Sequence, residues 1–226
     1  MVVRPLPDVS GLCVGILGGT GDQGRGLAYR LACAGHPVRI GSRSAARGQA
    51  AAAELSTLPG AGVVSGGDNP YACGADLVII AVPWEGHAEL VTALREALSG
   101  KVVVDCVNPL GFDHHGPYPL KVEEGSAAQQ AAALLPDSRV CAAFHHVSAT
   151  LLADPEVDRI DLDVLVLGED RDAVAQVQAL AGRIPGMRGI YAGRLRNAGQ
   201  VEALTANLIA INKRYKAHAG IRVTDL

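Results

Sequence analysis

A glycine-rich segment near the beginning of the chain has the residue spacing of a phosphate-binding loop. Gly19, Gly21 and Gly24 form a GxGxxG pattern between an apolar run of strand length and an amphipathic stretch of helix length. The first glycine would permit a tight turn, the second would let the backbone approach a pyrophosphate, and the third would let helix and strand pack closely. Free N–H groups and a partial positive charge at the helix amino end favour a bound anion. The pattern predicts a dinucleotide site, with a purely structural turn as the alternative.

The residues after the second predicted strand discriminate between the two nicotinamide cofactors. An NAD site would place an Asp or Glu about 20 residues beyond the motif, to bind the ribose 2′-hydroxyl, but no acidic residue occurs between Asp22 and Glu54. Ser42 offers a hydroxyl instead, and Arg43 and Arg47 offer guanidinium groups that suit the 2′-phosphate of NADP. The sequence therefore predicts NADP, and the alternative is that both arginines are solvated surface charges.

Two further predicted strand ends should face the nicotinamide half of such a cofactor. They are AVPW at 81–84 and CVNPL at 106–110, and the carboxyl ends of parallel strands meet at one edge of a sheet. Pro83 lacks an N–H and fixes the turn, Trp84 offers a flat face, and Asn108 offers an amide to the ring or its ribose. For each of the three residues, ordinary turn chemistry is the alternative.

The next predicted strand runs into AAFHHVSA and brings His145 and His146 to the same edge. A lone histidine is more often structural, but an adjacent pair at a strand end beside a cofactor site makes His145 the candidate that contacts the second reactant and does catalytic work. No metal site is predicted, because the histidines at 114, 115, 145 and 146 are sequential neighbours without a helical i, i+4 pair or nearby cysteines. Hydrolysis has no support either, since a GxSxG motif is absent.

The elements that must position these residues follow an alternating order. Apolar runs of strand length and amphipathic stretches of helix length succeed each other up to residue 144, which predicts an α/β fold with a Rossmann doubly wound parallel sheet of about six strands. We expect residues 1–155 to form this NADP-binding domain and residues 156–226 a small C-terminal α/β domain. The Pro/Gly/His-rich insertion between Asn108 and Gly125 follows a strand end and is a candidate lid or wall.

Composition indicates a globular chain that stays in the cytoplasm. Of 226 residues, 49% are apolar and 19% are charged, so a sizeable core is available. The longest strongly apolar run, Leu77 to Trp84, is too short for a membrane helix, and the start MVVRPLPDVS lacks the apolar stretch of a signal peptide. The five scattered cysteines suggest neither a disulfide framework nor a CxxC metal site, so they are expected to be buried free thiols.

Charged residues are unevenly divided along the chain. Residues 1–182 contain 12 basic and 21 acidic side chains, whereas residues 183–226, the basic C-terminal segment, contain 8 basic and 2 acidic ones. This asymmetry indicates an acidic partner for the segment. Nucleic acid is not the expected partner, because only 4% of the residues are aromatic and they do not alternate with basic ones.

The last predicted helix carries an apolar stripe at spacings of three and four residues. Its members are Val201, Leu204, Leu208, Ile211 and Tyr215. Such a stripe lies on one helix face and indicates either core packing within the subunit or the seam of a dimer.

Six segments taken together are more specific than any single motif. They are GILGGTGDQGRGLA, GSR at the end of the second predicted strand, AVPW, DCVNPL, AFHHVSA and VEALTANLIAINKRYK. In combination they resemble the NADPH:coenzyme F420 oxidoreductase family, over nearly the whole chain from about Leu12 to Gly220. The resemblance implies reversible hydride exchange between NADP(H) and an 8-hydroxy-5-deazaflavin, a Rossmann domain with a small C-terminal domain, and a homodimer.

The resemblance also implies roles for individual residues. NADP would be bound by Thr20, Gly21, Gln23, Ser42, Arg43, Arg47, Ala81, Val82 and Pro83. Trp84, His145 and the region of Thr205 would approach the deazaflavin. Within the basic C-terminal segment, Lys213, Arg214 and Lys216, together with Arg194 and Arg196, would face the phosphate and glutamate carboxylates of the coenzyme tail. The alternative for each of these residues is a basic, solvated helix end that complements its own dipole.

Two other functions stay open from the sequence. One is an NADP-dependent reductase of a small carbonyl or imine, in which Lys213 beside Asn212 would be the candidate acid. A C-terminal region of about 70 residues is short for the all-helical substrate domain of those enzymes. The other is a catalytically silent NADP sensor that regulates a partner through the basic C-terminal segment.

Overall fold

The architecture was obtained as a computed structural model, which describes residues 5–226. The first four residues, on which the expectation of no signal peptide partly rests, lie outside the described residues. The elements follow one another along the chain as β1 Val14–Leu17, α1 Asp22–Cys33, β2 Val38–Ser42, α2 Ala45–Ser56, β3 Val64–Asp68, α3 Asn69–Cys73, β4 Leu77–Ile80, α4 His87–Ala93, α5 Arg95–Leu98, β5 Val102–Asp105, β6 Leu110–Asp113, β7 Gly116–Pro119, α6 Ala127–Leu134, β8 Arg139–Ala142, α7 Ala149–Ala153, β9 Leu162–Gly168, α8 Arg171–Ala181, β10 Met187–Gly193 and α9 Ala198–Tyr215.

Eight of the ten strands form one twisted sheet in the order β10-β9-β8-β5-β4-β1-β2-β3. All neighbouring pairs are parallel except β8 and β9, which are antiparallel. The predicted α/β fold with a doubly wound, mostly parallel sheet is confirmed, with eight strands in place of about six.

The two extra strands come from the part of the chain that was expected to form a separate small domain. β9 is apolar along most of its length, and six of its seven residues are buried, which is the pattern of a strand covered on both faces. Because β9 pairs with β8 and β10 pairs with β9, residues 156–226 extend the sheet of residues 1–155. The structure therefore has one sheet that both parts of the chain share. The assignment of separate functions to residues 1–155 and 156–226 is a proposal.

Helix α1 packs closely against the segment that follows β8. A Cβ atom on Gly26 would lie 2.5 Å from the Cβ of Leu152, so glycine is required for this approach of α1 and α7. The guanidinium of Arg30, which is buried, donates hydrogen bonds of 2.6 to 2.9 Å to four backbone carbonyls. They belong to Leu151, Leu152, Asp154 and Val157. The helix that begins at the glycine-rich loop thus holds the chain beyond β8 in place.

The insertion between Asn108 and Gly125 is a hairpin. β6 and β7 pair antiparallel, and β7 packs against α9. Phe112 and Tyr118 of the hairpin are 68% and 44% exposed. The insertion therefore forms a wall beside α9.

The apolar stripe of α9 divides into two parts. Val201 and Leu208 are buried within the subunit, whereas Ile211 is 40% and Tyr215 73% exposed. Core packing thus accounts for the first part of the stripe and leaves the second part facing outward. None of the helices in residues 5–226 has both the length and the apolar character that crossing a membrane requires.

Candidate cofactor site

The carboxyl ends of five strands, β2, β1, β4, β5 and β8, lie side by side and form one rim of the sheet. Backbone hydrogen bonds just beyond the strand ends hold the loops together. They join Gly19 N to Gly41 O, Ala81 N to Leu17 O, Cys106 N to Ile80 O and Ala143 N to Asp105 O, at 2.9 to 3.3 Å. Ligands of open parallel sheets bind at such a rim, so the structure brings the sequence-predicted segments together where a ligand would bind.

The tight turn of the glycine-rich loop lies one residue earlier than predicted. Gly18 has a φ of +75°, and a Cβ on it would lie 2.4 Å from the carbonyl oxygen of Ala81. Gly19, to which the sequence analysis assigned the turn, is needed for packing instead, since its Cβ would lie 2.6 Å from Ile40 Cγ2. The signal for Gly18 was present as a second glycine directly before the GxGxxG pattern.

The other two glycines of the pattern have different surroundings. A Cβ on Gly24 would lie 2.5 Å from the carbonyl oxygen of Gly18, whereas the nearest atom to a Cβ on Gly21 would be 3.5 Å away. Gly21 is also exposed and is the N-cap of α1, which has no side-chain cap. The first N–H groups of α1 are therefore available, and the backbone at Gly21 is open to a pyrophosphate.

These surroundings give a matched pair of substitutions. Gly24→Ala is expected to lower the free energy of unfolding by about 1 to 3 kcal/mol because its Cβ collides with backbone. Gly21→Ala has a compatible φ of −86° and replaces a favourable N-cap glycine, so it should cost no more than about 1 kcal/mol. If the pyrophosphate lies over Gly21, the added methyl group should nevertheless weaken NADP binding about tenfold. Urea denaturation and nucleotide titration of both variants check this, and tight NADP binding by Gly21→Ala would contradict it.

The end of β2 has the electrostatics of an anion site. Ser42 is buried, while Arg43 and Arg47 are exposed and form no ion pair among residues 5–226. Helix α2 starts beside them without a side-chain cap and without an acidic residue in its first turn. Two free guanidinium groups at an uncapped helix amino end suit a phosphate dianion.

The loop after β4 lies against the glycine-rich loop. A Cβ on Gly18 would touch both the Ala81 carbonyl and the side chain of Val82, and Pro83 beyond them is exposed. Trp84 is half-buried and opens the 3₁₀ turn Trp84–Gly86. One of its faces is covered by the ring of His87, at a centroid distance of 5.5 Å and an interplanar angle of 27°.

Three predicted site residues from β5, β8 and α9 are joined by hydrogen bonds. The carbonyl oxygen of His145 accepts from Asn108 Nδ2 at 2.8 Å and from Thr205 Oγ1 at 3.1 Å. Thr205 Oγ1 also lies 3.4 Å from Asn108 Oδ1. The amide of Asn108 is therefore engaged within the protein, and it holds the chain beyond β8 against α9.

The residue before this histidine has an unusual backbone conformation. Phe144 has a φ of +64° and is fully buried, a combination that costs energy in a bulky residue and is typical of functional sites. Its carbonyl oxygen accepts a hydrogen bond of 3.2 Å from Gln23 Nε2. Gln23 in the first turn of α1 thus links the glycine-rich loop to the chain beyond β8, while Thr20 lies half-buried within the loop.

Both histidines beyond β8 are buried and neutral at physiological pH. Burial lowers the pKa of His145 to about 4, against the opposing charge of Asp105 and the nearby carbonyls of Cys106 and Val107. Neither ring nitrogen of His145 reaches hydrogen-bond geometry with any group in residues 5–226. Burial, followed by the neighbouring His145, lowers the pKa of His146 to about 4 as well. The Nε2 atom of His146 accepts from Leu165 N at 3.3 Å.

Four polar side chains that were not predicted from the sequence lie next to this cluster, three of them buried and one half-buried. They are His87, Asp105, Gln130 and Glu202. Glu202 accepts from the N–H groups of Ala127 and Ala128 at the start of α6, and burial raises its pKa to about 7. Two positions carried a signal in the sequence. Asp105 ends the apolar run VVVD, and Glu202 follows the apolar residue Val201 in the last predicted helix.

Three of the eight basic residues of the basic C-terminal segment form ion pairs within the described chain. Arg188 and Arg222 both contact the buried carboxylate of Asp163, and the hydrogen bonds from Arg188 hold the pKa of Asp163 well below its usual range. Arg194 pairs with Glu169 at 3.2 Å. Lys213, Arg214 and Lys216 at the end of α9 are exposed and form no ion pair in the described part of the chain.

Fold and rim together define a dinucleotide-binding protein of the Rossmann type. No three His, Cys, Asp or Glu side chains of residues 5–226 are grouped as a metal ion would require. A family model described as "NADP oxidoreductase coenzyme F420-dependent" matches residues 13–109.

Relatives extend this match over the whole chain. The F420-dependent NADP reductase of Methanothermobacter thermautotrophicus is 38% identical over 221 residues, which are 94% of this chain and 95% of that protein. The F420-dependent NADP reductase of Methanocaldococcus jannaschii is 36% identical and is covered to 98%. A crystal structure of a putative F420-dependent NADP reductase from Arthrobacter sp. FB24 has a TM-score of 0.78 at 30% identity, covering 95% of this chain and 100% of that one. The chain therefore belongs to the F420-dependent NADP reductase family of oxidoreductases.

Proposed function

We propose that this chain transfers a hydride reversibly between NADP(H) and coenzyme F420 at the rim of the sheet. NADP lies along the carboxyl ends of β1, β2 and β4, and the deazaflavin lies against Trp84 and the cluster of Asn108, His145 and Thr205. When both are bound, nicotinamide C4 and deazaflavin C5 are the hydride donor and acceptor, and the balance is NADPH + H⁺ + F420 giving NADP⁺ + reduced F420.

On the NADP side, the protein supplies charge and an unobstructed backbone. The N–H groups at the start of α1 and the open face of Gly21 bind the pyrophosphate, assisted by Gly19, Thr20, Gln23 and Gly24 as parts of the loop. Ser42, Arg43 and Arg47 bind the 2′-phosphate. Ala81, Val82 and Pro83 support the nicotinamide half, because they border the loop at Gly18.

On the deazaflavin side, the protein supplies a flat support and a fixed backbone. Trp84 presents its indole, and the hydrogen bonds of Asn108 and Thr205 to the carbonyl of His145 hold the chain beyond β8 in one position. His145 acts as a neutral ring there, because its pKa of about 4 means that the imidazolium acid is not populated at neutral pH. The proton of the balance then comes from solvent.

The observation that carries the proposal is the convergence of an open phosphate loop, two free arginines and a hydrogen-bonded cluster on a single rim. The test is to mix purified protein with NADPH and oxidised F420 and to follow the visible absorbance of the deazaflavin. Loss of that absorbance only when NADPH and enzyme are both present supports the proposal. Lack of any change with active, folded protein would contradict it, and reduction of a small imine or carbonyl would favour the first alternative.

The coenzyme tail requires a positive surface, and the end of α9 supplies one. Lys213 follows Thr205 by eight helical residues, or about 12 Å, so the charges at the end of α9 lie beyond the rim. This distance suits a tail that leaves the ring at Thr205. It also separates Lys213 from the reacting atoms, which disfavours its role as an acid in an imine reductase.

Neutralising the three unpaired cations should therefore affect one substrate selectively. The combined change of Lys213, Arg214 and Lys216 to Gln is expected to raise KM for F420 about tenfold at low salt and to flatten its salt dependence. KM for NADPH should stay nearly constant. A deazaflavin without phosphate and glutamates is the control, since wild type and variant should use it equally. Equal efficiency with the full coenzyme at low salt would contradict the assignment.

We also propose that the chain is a homodimer whose contact includes the outer part of the α9 stripe. Ile211 and Tyr215 support this, because two large apolar or aromatic side chains are exposed one turn apart on the same helix. Tyr215→Glu should give a folded monomer in sedimentation. Leu208→Glu, at a buried position of the same stripe, should lower stability instead. An unchanged mass for Tyr215→Glu would contradict the proposal.

The cellular setting remains a proposal as well. All five cysteines are free, which supports a reducing compartment such as the cytoplasm. The expectation that all of them are buried is wrong for Cys33, which is exposed, and for Cys13, which is half-buried. Nucleic acid is not a proposed partner, because three arginines of the basic C-terminal segment are paired within the chain.

A further inference from the structure

Three hydrogen bonds connect four side chains next to Trp84, and the proposed function does not use them. Gln130 Nε2 donates to Glu124 Oε2 at 3.3 Å, and Gln130 Oε1 lies 2.9 Å from His87 Nδ1. The other ring nitrogen, His87 Nε2, lies 2.7 Å from Asp105 Oδ2. Both His87 and Asp105 are completely buried.

The donors and acceptors of this chain fix the protonation of His87. A carboxylate only accepts hydrogen bonds, so Glu124 requires the amide nitrogen of Gln130, and the amide oxygen must then face His87. That oxygen also only accepts, so His87 Nδ1 carries a hydrogen. Asp105 accepts at its second oxygen from Val107 N at 3.0 Å and needs a donor at the first. Both ring nitrogens of His87 therefore donate, and the ring is an imidazolium.

The charges around His87 agree with this state. Burial by itself would lower its pKa, but the hydrogen bond and charge of Asp105 outweigh burial and raise the pKa above its usual value. Glu202 of α9 adds a further favourable charge when it is ionised. His145, beyond β8, contributes no positive charge above pH values of about 4. The groups that face His87 from β5, α6 and α9 are thus acceptors or anions.

The imidazolium covers one face of Trp84. A centroid distance of 5.5 Å and an interplanar angle of 27° lie within the range at which a cation is attracted to an indole face. Trp84 begins the 3₁₀ turn and His87 begins α4, so the contact ties the exposed turn to a buried ion pair. The contact lies on one side of the indole, which remains partly exposed at the rim.

We propose that His87 is a positioning residue, held as an imidazolium between Asp105 and Gln130, that fixes the indole of Trp84 at the rim. The contact and the charge are properties of the protein without cofactors. Only the consequence for coenzyme binding rests on the proposed function. The two parts can therefore be tested separately.

Tryptophan emission tests the first part, because the chain contains a single tryptophan. An imidazolium accepts an electron from excited indole more readily than a neutral imidazole does, so it quenches more strongly. Asp105→Asn keeps the size of the side chain: its oxygen still accepts from Val107 N, and its Nδ2 can donate to a neutral His87. At pH 6.5 and without cofactors, the variant should be brighter than wild type, because the pKa of His87 is raised above 6.5 only in wild type. Its pH transition should lie about 1 to 3 units lower, the effect of a lost carboxylate charge.

A second variant and a control complete this test. Gln130→Leu changes a half-buried position and removes the acceptor at Nδ1, so its emission should lie between those of wild type and Asp105→Asn. His36→Gln changes another buried histidine, whose Nδ1 contacts Leu12 O, and should leave the emission unchanged. Equal brightness of wild type, Asp105→Asn and Gln130→Leu at pH 6.5 would overturn the proposal.

Steady-state kinetics test the second part. In Asp105→Asn, KM for F420 should rise about tenfold, equivalent to about 1.4 kcal/mol, while KM for NADPH changes little. If the Trp84 emission of wild type is weaker than that of Asp105→Asn but wild type has no activity with F420, the proposed function fails. The contact between the His87 imidazolium and Trp84 is then still supported. If wild type is active and Asp105→Asn keeps both KM values, His87 does not position Trp84 for the coenzyme.

Discussion

Arg43→Ala is expected to weaken NADP binding by roughly 1.5 to 3 kcal/mol, the scale of a lost charge-assisted hydrogen bond. The corresponding loss of affinity is about 10- to 150-fold. NAD binding should barely change, because NAD has no 2′-phosphate. Arg43 is exposed and unpaired within the described chain, so the substitution leaves no buried group without a partner.

A fluorescence titration with both nucleotides measures this selectivity. Arg95→Ala is the control, since Arg95 is also exposed but lies on α5, outside the rim. Arg47→Ala should show the same preference as Arg43→Ala. Equal losses of affinity for NADP and NAD would mean that Arg43 does not contact the 2′-phosphate.

The second large effect is a loss of stability in acid. A buried histidine with a pKa of about 4 stays neutral in the folded state, while in the unfolded chain it binds a proton near its ordinary pKa of 6.5. Folding is therefore penalised progressively as the pH falls from about 6.5 towards 4, by up to about 1.4 kcal/mol per pH unit for each histidine. Between pH 6.5 and 4.5, His146 alone should account for about 2 kcal/mol.

A comparison of variants isolates this contribution from others of opposite sign. Glu202, with its pKa raised to about 7, stabilises the fold at low pH and loses this effect as the pH rises through 7. His146→Gln can still accept from Leu165 N, and it should reduce the pH slope of the unfolding free energy relative to wild type. Exposed His114→Gln is the control and should leave the slope unchanged. Parallel slopes for wild type and His146→Gln in urea denaturation would refute the assignment.

The rim could be predicted from the sequence because its signals are short-range. The spacing of Gly19, Gly21 and Gly24, the missing acid after β2 and the residues at strand ends are all read from a few neighbouring positions. The parallel strand order then brings these positions together. The location of the turn at Gly18 was missed because two adjacent glycines satisfy the same pattern, and only the contacts with Ala81 and Ile40 distinguish them.

The features that were missed depend on partners distant in the sequence. The pattern of β9 specifies a buried strand but not the sheet that it joins, so the antiparallel pairing with β8 had no local signal. Counting charges overestimated the free basic surface, because Arg188 pairs with Asp163 25 positions away. Similarly, His87 and Asp105 are 18 positions apart, on a helix and a strand.

The four hydrogen bonds of Arg30 limit how this rim could be transferred to another protein. One end of α1 carries the loop assigned to the pyrophosphate, and further along the same helix Arg30 holds four carbonyls of the chain that follows His145. Helix α1 thus supports both the phosphate loop and the segment that follows β8. A chimera that grafts residues 143–157 onto another nucleotide-binding scaffold would have to import α1 as well, since the grafted segment would otherwise lose the support that sets its distance from the phosphate loop.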